Sequence, residues 1–186
     1  MNCFYLLFIS SYQLISLAGI TTDLVRPLLS SMRSNNSSVE VQKRSCDLIS
    51  KMGTDKVSSK LGEMGAIQDL LSAIRSNMKG TIFLQLLFNI FTRGFILDEL
   101  VLIAATKALW SLCVNELNAA VATAEKGFKQ ILAVMEMYPG NGDLIENCIS
   151  AVWSLCLEDE NEDLVIDISI SYIIDAIKTH SENKKR

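Results

Sequence analysis

Ala108-Leu109-Trp110-Ser111-Leu112-Cys113 returns 43 residues later as Ala151-Val152-Trp153-Ser154-Leu155-Cys156, and this repetition decides the fold class. A second pair agrees with it. Leu28-Leu29-Ser30-Ser31-Met32-Arg33-Ser34-Asn35 matches Leu70-Leu71-Ser72-Ala73-Ile74-Arg75-Ser76-Asn77 at an offset of 42. A period near 42 residues built only of helical patterns predicts an all-α chain. Its helical units would stack side by side as a solenoid, each burying an apolar face that it cannot bury alone.

Two series of residues set the register of the units. Second-helix pairs Leu28-Leu29, Leu70-Leu71, Ile131-Leu132 and Ile173-Ile174 are spaced by 42, 61 and 42. Third-helix positions Leu48, Leu109 and Val152 are spaced by 61 and 43. Both series jump by 61 across the same region, so one 19-residue excess between Asn77 and Val101 accounts for both. Residues 78–99 therefore read as an insertion, either an added helix or a segment translated from a variant transcript. The chain reads as one domain, 1–186. It comprises a partial first unit 1–22, repeats at about 23–64, 65–125 and 126–167, and a partial last unit 168–186.

Turn residues fall where this division needs them. Gly53-Thr54-Asp55 ends one third helix, and Tyr138-Pro139-Gly140-Asn141-Gly142-Asp143 separates a second helix from a third, with Asp143 as the expected cap. Residues 158–163 are acidic. They read as a solvated loop favouring a helix N-terminus rather than as a cation site. In the third helices, Ala105, Ala108, Leu112 and Cys113 share an apolar sector with Leu109, as Cys148, Ala151, Leu155 and Cys156 do with Val152.

Composition narrows the function classes. Apolar residues make up 49% of the 186, charged residues 20%, and only two prolines occur, Pro27 and Pro139, which favours helix. A mean hydropathy of +0.29 calls for helices buried on more than one side, or for a membrane segment. Residues 4–18 are apolar but lack a basic leading region and are interrupted by Ser10, Ser11, Tyr12 and Gln13, which makes a poor signal peptide. Residues 81–97 contain Gln85, Asn89 and Arg93 and fall short of a membrane span. Both read as helices that need neighbours. The net charge of −4 argues against a general nucleic-acid binder.

The cysteines are Cys3, Cys46, Cys113, Cys148 and Cys156, and the one histidine is His180, in a polar tail beside Lys184-Lys185-Arg186. An odd number without a Cys-x-x-Cys pair argues for reduced, buried thiols and against a disulfide scaffold or a zinc site. The expected compartment is the cytoplasm, with the nucleus as a second. The sequons at Asn35 and Asn36 would matter only in a secreted protein. No Ser-His-Asp or Cys-His set forms without His180, and there is no glycine-rich phosphate loop. The expectation is no catalysis, no cofactor, no metal and no small-molecule substrate.

These residues resemble armadillo repeats, a family with three-helix units of about 42 residues. Its second helix typically opens with glycine and a Leu-Leu-rich stretch, matched by Gly65-Ala66-Ile67-Gln68-Asp69-Leu70-Leu71 and by Gly127-Phe128-Lys129-Gln130-Ile131-Leu132. Its third helix carries Ala-Leu-x-x-Leu, matched by Ala108-Leu109-Trp110-Ser111-Leu112 and Ala151-Val152-Trp153-Ser154-Leu155. The likeness runs from about Leu24 to Lys178 outside the insertion. It implies a right-handed α-α superhelix of about three to four repeats. The importin-alpha type carries a Trp two residues before the third-helix Leu and an Asn two after it. Lys107 and Ser111, then Ser150 and Ser154, stand there instead, so recognition of nuclear localisation signals is not implied. Trp110 and Trp153 lie one residue past the Leu position, about 100° round the helix, and read as packing between repeats.

In the family geometry third helices line a concave face. The residues facing it would be Lys43, Cys46 and Ser50, then Ala104, Lys107 and Ser111, then Asn147, Ser150 and Ser154. This small, polar row suits an extended, partly acidic protein segment. The resemblance thus implies a non-catalytic protein–protein interaction module. The alternative is a regulatory armadillo segment, or a truncated isoform, of a larger protein with a kinase or other enzyme domain. A protein anchored to a membrane by its N-terminal apolar segment is a third class.

Overall fold

The computed structural model describes residues 22–53, 55–87, 93–156 and 174. All regular secondary structure among the described residues is helical, with no strand. A 3-10 turn at Thr22–Leu24 leads into eight α-helices. They are α1 (Val25–Ser34), α2 (Val39–Met52), α3 (Asp55–Glu63), α4 (Ala66–Leu87), α5 (Arg93–Cys113), α6 (Glu116–Ala124), α7 (Gly127–Met137) and α8 (Gly142–Leu155).

Local chemistry explains the corners. Pro27 sits in the first turn of α1, where its missing N–H costs nothing. At the α1–α2 corner, buried Gln42 donates through Nε2 to Met32 O at 2.8 Å and to Asn35 O at 3.2 Å. It thereby gives a second donor to two carbonyls at the end of α1 that also accept from Asn35 N and Ser38 N. Ser38 caps α2 by accepting from Val41 N, and Asn115 caps α6 by accepting from Asn118 N. The cap of α8 is Asn141, whose Oδ1 accepts from Leu144 N at 3.1 Å. Asp143, the expected cap, lies two residues inside, in the first turn, where its charge meets the positive end of the helix. Gly53 follows the last residue of α2, as its turn chemistry predicts.

The helices pack by kind. α2 lies on α5 and α5 on α8; α1 lies on α4 and α4 on α7; α3 lies on α6. Within each group of neighbours α1 packs on α2, α4 on α5 and α7 on α8. One continuous apolar core results, running from Val25 to Leu155, with Leu29, Ile49, Leu70, Leu71, Leu109, Leu112 and Ile131 fully enclosed.

Among the described residues, the 19-residue excess shows as longer helices. α4 has 22 residues where α7 has 11, and α5 has 21 where α8 has 14. Residues 78–87 continue α4 and 93–99 open α5, so among the described residues no separate helix occupies the insertion. No helix among the described residues is long and apolar enough to cross a membrane. Residues 4–18, the acidic stretch 158–163 and His180 lie outside the described residues.

Candidate functional site

The nine residues of the expected row lie on α2, α5 and α8, which pack against one another in that order. Burial divides them. Lys107 is exposed; Lys43, Ser50, Ser111, Asn147 and Ser150 are half-buried. Cys46, Ala104 and Ser154 are buried, so they are closed to a partner. The helices that carry them pack on one another in series, and spacing along a helix does not set how deeply such packing covers a face.

The polar members are used locally. Lys43 Nζ pairs with Asp47 at 2.8 Å, one turn further along α2. Ser111 Oγ donates to Ser50 O at 2.9 Å and so ties α5 to α2. Ser150 Oγ donates to Glu146 O at 3.0 Å, and Ser154 Oγ to Ala151 O at 2.9 Å, both within α8. Gly53 makes the Ser111 contact possible, because a Cβ there would stand 2.0 Å from Ser111 Oγ.

Beside this row an open cleft of about 440 Å3 is lined by Gly53, Ser58, Ser111, Val114, Asn115 and Leu117. Val114 and Leu117, at 64% and 74% exposure, form its apolar lip. Sequence reading passed over both, since two exposed aliphatics in a helix-to-helix corner leave no periodic signal.

The position one residue past the third-helix Leu behaves in a graded way. Ile49 on α2 is 0% exposed, Trp110 on α5 39%, and Trp153 on α8 73%. α2, α5 and α8, which carry these positions, pack in series.

Three thiols are inert by burial. Cys113 and Cys148 are each pushed up to about 12 by desolvation, and Cys46 is raised further, with Asp47 adding a repulsive charge. Cys156, half-buried, is raised less and by the same cause. Among the described residues no three of His, Cys, Asp and Glu converge as a metal-binding set.

A buried polar cluster lies at the α3–α6 contact, next to the cleft. Asn118 Nδ2 lies 3.1 Å from Ser58 O, 3.0 Å from Ser58 Oγ and 3.1 Å from Leu112 O. The one sequence signal for it is a lone amide in the apolar run Leu117-Asn118-Ala119-Ala120-Val121.

No protein-family model, no curated protein and no solved structure matches the chain.

Proposed function

We propose that the chain is an armadillo-type solenoid and serves as a non-catalytic protein-binding module in the cytoplasm, taking an extended, partly acidic segment along α2, α5 and α8. The observation that supports this most is the coincidence of two registers. The sequence repeats every 42 to 43 residues outside the insertion, and the helices carrying the repeat, α2, α5 and α8, pack in series. Stacked units of this kind expose a long surface with a regular spacing of side chains, which suits an extended ligand.

On this reading Lys107 and Lys43 meet acidic side chains, Asn147 and Ser150 bond to the ligand backbone, and the closed residues Cys46, Ala104 and Ser154 support the floor. Interfaces concentrate their energy in a few residues, each costing about 1 kcal/mol or more on truncation. The test is capture from cell lysate by the wild type beside a Lys43→Ala, Lys107→Ala, Asn147→Ala triple variant. A specific partner held by the wild type and lost by the variant supports the reading. Equal capture by both assigns binding elsewhere, to the cleft of Val114 and Leu117 first.

A further inference from the structure

We propose that Asn118, seated against Gly62, is a register lock between α6 and α3: it selects the one axial offset at which these helices pack, rather than adding net stability. The proposal rests on contacts and not on the family reading.

The apolar part of α6 that faces inward is made of Ala119 and Ala122, both buried, with Val121 half-buried. Such small side chains form shallow ridges, and a helix carrying them buries similar apolar area at neighbouring offsets. Asn118 is different. At 2% exposure, its amide finds Ser58 O, Ser58 Oγ and Leu112 O together at 3.0–3.1 Å. Ser58, itself 3% exposed, also donates from Oγ to Leu112 O at 3.4 Å. A slip of one turn would part the amide from Ser58 O and Ser58 Oγ, leaving it inside the core with only Leu112 O, which already accepts from Asn115 N.

Sterics point the same way. A Cβ on residue 62 would stand 1.7 Å from Asn118 Oδ1, so the amide fits only opposite a glycine. Gly62 is the only glycine of α3. One turn back stands Ser58, whose Cβ and hydroxyl would meet the displaced amide. Hydrogen bonding and shape thus agree on one offset, while burying the amide cancels much of what its bonds contribute.

The test uses the full chain with spin labels on introduced keto amino acids at Lys60 of α3 and Ala120 of α6, both exposed, leaving the native thiols untouched. Pulsed dipolar spectroscopy reads the distance between them, and circular dichroism reads helicity. The wild type should give one narrow distance. Asn118→Leu, of similar volume but without the amide, should keep wild-type helicity and show a second population displaced by about 5 Å, one helical turn. Gly62→Ala, which unseats the amide, should show the same second population. A single unmoved distance in either variant overturns the proposal. So does loss of helicity in Asn118→Leu, because the amide would then be supporting stability rather than selecting an offset.

Discussion

Lys126 and Gly65 occupy the same place in successive turns, 61 residues apart, and both hold left-handed backbone, with φ of 58° and 87°. Gly65 does so without strain. Lys126 carries a Cβ into a region that costs a side-chain-bearing residue about 1–2 kcal/mol. The 61-residue spacing of Leu70 and Ile131 places Lys126, not Gly127, opposite Gly65. Gly127 has its own reason: a Cβ there would stand 2.9 Å from Ala122 O. Lys126→Gly should therefore stabilise the fold by about 0.5–1 kcal/mol, part of the relief being offset by the freer unfolded chain. A urea midpoint that is unchanged or lowered would contradict this.

The buried thiols make a second prediction at this scale. Cys113 and Cys148 rise from 9.0 to about 12 in the folded state. A raised acid holds its proton longer when folded, so the stability it contributes is complete below pH 9 and is lost as pH climbs from 9 through about 12. The urea midpoint should be level between about pH 7 and 8.5 and then fall. Replacing Cys148 with Ala should make that alkaline fall shallower. A midpoint that stays level to pH 11 would show that these thiols are not desolvated.

At the scale of elements, helix existence was legible and helix length was not. The apolar periodicity around Leu109 and Val152 identifies α5 and α8, and Gly53 marks the end of α2, because burial and turn chemistry are both local signals. The insertion was legible only as a number. Nothing in periodicity distinguishes an added helix from two lengthened ones, since a longer helix simply continues the same 3.6-residue pattern. The excess extends α4 and α5 beyond the lengths of α7 and α8, outside the part that the repeats share. Deleting about 19 residues within 78–99 should keep the flanking helices folded, with molar helicity lowered only in proportion to the residues removed. Collapse of the helical signal would mean that the extension nucleates the rest.

The expected row was legible in part for a physical reason. Spacing along a helix states which residues share a face, and Lys43, Lys107, Asn147 and Ser150 do present half-buried or open side chains on α2, α5 and α8. Spacing does not state how deeply a neighbouring helix covers that face, so Cys46, Ala104 and Ser154 could not be recognised as closed. The same blindness applies to Trp110 and Trp153, similar in sequence context yet 39% and 73% exposed.

For the whole molecule, the central claim is that like helices lie side by side, so that residues 43 apart occupy matching places on α5 and α8. Adjacent packed helices have axes about 8–10 Å apart. Lys107 and Ser150 are such a matched pair, one exposed and the other half-buried. Nitroxide labels at these two positions, read by continuous-wave electron paramagnetic resonance in frozen solution, test the claim most directly. The account predicts strong dipolar broadening from a pair separated by about 10 Å, on the scale of that interaxial distance. Spectra that equal the sum of the two singly labelled chains would place the helices apart and contradict it.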